Sequence, residues 1–249
     1  MIQKERIKYL NNKKFQNKKY IIYWMQQSQR TDYNHTLEYA ITQSNNYEKP
    51  LIVYFGLTEN FPDANIRHYK FMIEGLKEVQ KSLNDRGIKF LLKQLSTEKG
   101  AIELSKDACM IIVDRGYLKI QKDWRNKVSK EINCPLIQIE SDAVIPVEIA
   151  SQKEEYSAAT LRHKIRDKFD KYLSPLKKEK YKQSYIEKEL GSIDIKEISK
   201  DKIDKSVKNV DNFIGGTYQA IKHLNLFLKK KSIVIKRRET IQILILFQT

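Results

Sequence analysis

The four histidines, His35, His68, His163 and His223, stand too far apart in the chain for metal-ligand spacing. Cys109 and Cys134 form no C-x-x-C pair and match no zinc pattern; they read as two buried thiols kept reduced inside a cell. No Ser/His/Asp set stands out and there is no P-loop. The turn MQQSQR (25–30) lacks the G-x-G-x-x-G that cradles a pyrophosphate. Paired carboxylates such as Glu154-Glu155 read as solvated helix surface. The aromatics are more suggestive. Tyr23 and Trp24 end one apolar run, and Tyr117 and Trp124 follow another. A crevice lined by them could stack a planar chromophore, although Trp24 and Trp124 would serve equally as plain core packing.

The elements that would position these residues are legible as a rhythm. Five short apolar runs recur: YIIYW (20–24), LIVYFG (51–56), IKFLL (88–92), MIIVD (110–114) and LIQIE (136–140). Each is continuous rather than alternating, as in strands buried on both faces. Helical stretches lie between them. The clearest runs from Asn65 to Asp85, with Met72, Leu76, Val79 and Leu83 on one face and Gly87 as its stop signal. Alternating strands and helices predict an α/β fold: a five-stranded parallel Rossmann-like sheet, flanked by helices and joined by right-handed crossovers. With the order 3-2-1-4-5, the ligand crevice falls between the ends of strands one and four, about residues 24–30 and 114–117.

Residues 1–19 carry seven basic side chains and one acidic one, and read as a basic arm or short helix before the domain at 20–150. Residues 151–214 read as a helical, Lys-rich linker. A helix is expected over 153–173, with Tyr156, Ala159, Ile165, Phe169 and Leu173 on its apolar stripe, and an exposed stretch over 177–209. Gly215-Gly216 then precede an amphipathic helix with Ala220, Leu224, Phe227 and Leu228 on one face, the expected start of an all-α domain over 215–249. The tail IQILILFQ is apolar and β-prone, an aggregation hazard if exposed. No signal peptide and no apolar run of about 20 residues is present, which predicts a cytoplasmic protein with no membrane partner. The net charge of +16 favours polyanions, nucleic acid before anionic membrane.

Four strings resemble a known family. YWMQQSQRTDYNHTLEYAI (23–41), FGLTENFPDANIRHYKFMIEGLKEV (55–79), VDRGYLKIQKDWR (113–125) and ESDAVIPVEIASQKEEYSAATLRHKI (140–165) are similar, in order, to segments of class II cyclobutane-pyrimidine-dimer photolyases. His163 departs from the pattern, which has proline after Leu-Arg. The resemblance implies an N-terminal α/β domain able to hold a light-harvesting antenna, a deazaflavin in some members. By position, Met25, Gln26, Arg30, Asn34 and Arg115 are the residues expected near that antenna. It also implies a helical domain that binds FAD and a dimer flipped out of DNA, where the light-excited reduced flavin donates an electron and the cyclobutane ring opens. Such a protein acts as a monomer on DNA containing pyrimidine dimers.

GGTYQAIKHLNLFLKKK (215–231) resembles the first helix of the FAD domain. The family continues with Arg-Asn-Asp-Pro, where this chain has RRETIQILILFQT. A one-base frame shift across Arg238 to Gln242 would recover that string. The expectation is a truncated photolyase-family chain without the FAD site, inactive alone, that binds DNA weakly and without specificity. Two alternatives stand beside it. One is a non-catalytic chromophore- or nucleotide-binding α/β module or sensor, which ligand content would distinguish. The other is a basic nucleic-acid-binding protein, marked by salt-dependent DNA binding.

Overall fold

The computed structural model describes residues 2–235 apart from 60, 187–189, 200, 202, 209 and 211. The apolar runs form strands at Tyr20–Trp24 (β2), Leu51–Gly56 (β3), Lys89–Lys93 (β4), Ala108–Asp114 (β5) and Leu136–Ile139 (β6), preceded by a short strand at Ile7–Tyr9 (β1). The sheet order is β1-β6-β5-β2-β3-β4. Its five parallel members therefore follow the expected 3-2-1-4-5 arrangement. The register aligns Trp24 with Tyr54 on one side and with Val113 on the other, so β3 and β5 run one or two residues beyond the end of β2.

Helices cover both faces. On one side α1 (His35–Tyr47) and α2 (Ile66–Asp85) bury Leu37, Ile41, Leu76 and Val79 against Ile21, Tyr23 and Val53. On the other, α3 (Thr97–Ser105) and α4 (Lys119–Glu131) bury Ala101, Leu104 and Val128 against Ile22, Trp24 and Tyr54. Alternate residues of each strand thus serve opposite layers, which is why the runs show no polar alternation.

The structure departs from the sequence-based expectation at three places. The basic arm contributes a sixth strand: after one turn of 3₁₀ helix at Lys4–Arg6, β1 pairs antiparallel with β6, Ile7 opposite Ile139. Arg6 anchors the turn. Its buried guanidinium donates to the backbone carbonyls of Glu140 (3.1 Å), Ala143 (2.8 Å) and Val144 (2.5 Å).

The helix expected over 153–173 is two pieces, α6 (Ala158–Arg166) and α7 (Phe169–Tyr172), after a one-turn α5 (Val147–Ala150). Ser157 caps α6 and so delays its start, its hydroxyl accepting from Thr160 N. The Lys-rich segment, exposed over most of its described residues, is nonetheless anchored to the sheet domain. Ile195, Ile198 and Ile203 are buried in the α1/α2 core layer. Leu92 N donates to Ser192 Oγ (3.1 Å) and Ile193 N donates to Leu92 O (2.9 Å), covering the open edge of β4.

The helix at Thr217–Ile235 (α8) docks its first turn on α2. Gly215 N donates to Glu74 (2.8 Å) and Tyr218 N to Glu78 (3.1 Å). A Cβ on Gly215 would stand 1.9 Å from the carbonyl oxygen of Phe71, so only glycine permits this approach. The apolar tail and the Arg238 to Gln242 string lie outside the described residues. Among the described residues, no helix is long and apolar enough to cross a membrane.

Candidate chromophore site

β5 ends on Asp114, a fully buried carboxylate. Its Oδ2 accepts from three consecutive backbone amides of the loop after β2: Gln26 N (2.8 Å), Gln27 N (2.8 Å) and Ser28 N (3.0 Å). Its Oδ1 accepts from the Tyr23 hydroxyl at 2.5 Å. Burial pushes the Asp114 carboxyl up, against Tyr23 and the three amides, which hold it down. Burial, and then the neighbouring Asp114 charge, hold the Tyr23 hydroxyl well above its ordinary range, so it stays a donor.

Asn34 completes the knot. Its Oδ1 caps α1 by accepting from Leu37 N (2.9 Å), and its Nδ2 donates to Tyr23 Oη (2.9 Å), Ser28 O (3.0 Å) and Arg30 O (2.8 Å). Loop 25–30 is therefore fixed from both sides. Arg30 pairs with Asp142 (2.6 Å), which also accepts from Ser28 Oγ (2.8 Å).

This filling moves the open space. Between the ends of β2 and β5 lies a void of about 10 Å³, walled by Trp24, Asp114 and Trp124. The sizeable cavity, about 570 Å³, lies one strand over, above the ends of β2 and β3 and beneath α2 and the start of α8. That volume is in the range of small-molecule sites. Its walls are aromatic and apolar, with Phe55, Phe61, Tyr69, Met72 and Trp124. Phe61 meets Trp124 edge to face with ring centres 6.2 Å apart. Gln26, Gln27, Gln29, Arg30, Thr58 and Gln121 bring polar groups to it. The Thr58 hydroxyl is buried with no hydrogen-bond partner among the described residues.

Of the residues expected at the antenna, Gln26 and Arg30 line the cavity. Met25 is fully buried in the α1/α2 core layer, and Asn34 works behind the loop as described. Arg115 is held by Glu140 (2.8 Å) and Glu148 (3.2 Å) away from the cavity lining. Sequence reasoning missed Tyr69 and Met72, because an apolar stripe on a helix reads as core, and Phe61, which lies in the loop before α2. It also missed Asp114, although the interval 114–117 contained it. A charged residue closing a fully apolar strand was the available signal. Among the described residues, no group of His, Cys, Asp and Glu could hold a metal ion.

Comparison with known proteins places this geometry. The chain is 40% identical over 232 residues to the deoxyribodipyrimidine photo-lyase of Methanothermobacter thermautotrophicus, an overlap of 93% of this chain and 52% of that protein. It is 32% identical over 157 residues to the deoxyribodipyrimidine photo-lyase of Potorous tridactylus, covering 61% of this chain and 30% of that one. The chain thus spans about half the length, or less, of the curated relatives it matches. A crystal structure of an archaeal photolyase from Sulfolobus tokodaii, described as containing two FAD molecules, shares the fold with a TM-score of 0.63 at 16% identity, over 82% of this chain and 45% of that one. A bacterial class III photolyase from Agrobacterium tumefaciens does so with a TM-score of 0.57 at 14% identity, over 73% and 38%. The family model for DNA photolyase matches residues 21–180, and the chain belongs to the DNA photolyase family.

Proposed function

We propose that the 570 Å³ cavity holds a flat, tricyclic light-harvesting chromophore of the flavin or deazaflavin class, and that this chain is the antenna-bearing half of a class II photolyase that reverses pyrimidine dimers in DNA. One observation carries the reading: a cavity with aromatic walls and polar groups grouped on its glutamine-rich side, at the carboxyl ends of parallel strands, in a photolyase-family domain. The Sulfolobus protein, described as implying a novel light-harvesting cofactor, makes a second flavin a reasonable occupant.

Trp124 and Phe61 would offer their rings to the chromophore plane, and Met72 a soft apolar wall. Tyr69 lines the cavity, its hydroxyl lying 2.7 Å from the carbonyl oxygens of both Thr58 and Glu59 and able to donate to either. Arg30 sits where a chain bearing hydroxyls or phosphate could meet its charge. Met25, Asn34 and Arg115 act behind the lining, by packing and by fixing loops. The chromophore supplies absorption of blue light and transfer of that energy. FAD, held in the helical half of a complete photolyase, supplies the electron that opens the dimer. The buried free thiols Cys109 and Cys134 fit a cytoplasmic location. A monomer with weak, salt-sensitive DNA binding fits the positive charge.

The test is a titration of the purified protein with riboflavin and with a 5-deazaflavin, followed by ligand fluorescence. Saturable binding by one of them, weakened about tenfold or more in Trp124→Ala, is expected from the loss of a stacking face. No saturable binding of either would refute the reading.

A further inference from the structure

Two glutamines, Gln121 and Gln27, form an amide relay on the cavity wall, and Gln26 is oriented beside them. The backbone N–H of Leu118 can only donate, and it donates to Gln121 Oε1 at 3.2 Å. That orients the Gln121 amide, and its Nε2 donates to Gln27 Oε1 at 2.8 Å. Gln27 is left with its NH₂ as an available donor. On the other side of the loop, the Trp24 indole N–H donates to Thr97 Oγ1 at 2.7 Å, and Gln26 Nε2 donates to the same oxygen at 2.5 Å. Gln26 is left with Oε1 as an available acceptor. Both residues line the cavity, and Asp114 fixes both of their backbone amides. Gly116 makes the relay possible. A Cβ there would stand 2.4 Å from Gln121 Oε1, so any side chain would push the Gln121 amide aside.

We infer that Gln26 and Gln27 read a carbonyl–imide edge on the chromophore, Gln26 accepting from its N–H and Gln27 donating to its C=O, and that Gly116 sets the Gln27 orientation through Gln121. The inference rests on the proposed flavin-class occupant, whose pyrimidine-type ring presents such an edge. A site built around paired hydrogen bonds rejects an analogue that lacks one of them, because the protein group is left unmet.

The experiment compares riboflavin with 3-methylriboflavin, in which the imide N–H is replaced by N–CH₃, by fluorescence titration of the purified chain. Wild-type protein should bind riboflavin about tenfold more tightly, the equivalent of one hydrogen bond. Gln26→Leu should abolish that preference. Gln27→Leu and Gly116→Ala should each weaken both ligands while keeping the preference, and the double variant should bind no more weakly than Gln27→Leu alone. A Gly116→Ala effect that adds in full to Gln27→Leu would show that Gly116 acts by another route. Equal binding of the two flavins by wild-type protein would overturn the edge reading while leaving the cavity assignment standing. Binding of neither would overturn both.

Discussion

Asp114 shows how one side chain can shape a site it does not line. Its carboxylate collects three amides and a phenol, and so turns the segment after β2 into a fixed wall on which Gln26, Gln27 and Arg30 are mounted. Removing it strands four donors, each buried or partly buried. Asp114→Ala should therefore destabilise the fold by about 3 kcal/mol, seen as a lower midpoint in urea denaturation. It should also weaken chromophore binding beyond what the stability loss explains. A variant as stable as the parent would show that the loop holds itself. At this scale the sequence was only partly legible. Gln26 and Arg30 could be placed near the site from their position after a strand. Asn34 and Arg115 could not be told from lining residues, because whether a polar side chain faces a cavity or a neighbouring carboxylate is decided by tertiary geometry.

Elements were far more legible than side chains. Strands buried on both faces advertise themselves as unbroken apolar runs, and right-handed crossovers leave few ways to order them. The features that escaped are those whose stability comes from elsewhere. β1 is three residues long and exists because Arg6 and the edge of β6 hold it. The segment along β4 is rich in lysine, and its three buried isoleucines follow no helical or strand period. Tyr181 adds a further tie, its hydroxyl accepting from Leu51 N at 3.0 Å. Covering an edge strand should carry real free energy. Ile195→Ala should cost about 2–4 kcal/mol by cavity formation, measurable in the same denaturation assay. A change within a few tenths of a kcal/mol would mean the segment merely rests on the sheet.

Taken whole, the molecule is a doubly wound sheet whose cavity lies beside the crevice expected at the switch point. The switch point and the cavity lie at the same end of the sheet. The knot of Tyr23, Asn34 and Asp114 closed the gap between β2 and β5, and the cavity opened under α2 instead. Its cover includes Gly216, Thr217 and Ala220 from the start of α8, so residues far from the sheet in sequence help to enclose it. The positive charge lies in the flanking segments, since basic and acidic side chains balance over residues 20–150. The central claim is that this cavity is where light is gathered. The most direct measurement is a crystal structure of the chain grown with riboflavin or a 5-deazaflavin: the account predicts electron density for a planar ring system against Trp124 and Phe61, with an edge on Gln26 and Gln27, and density for the ring anywhere else on the molecule would contradict it.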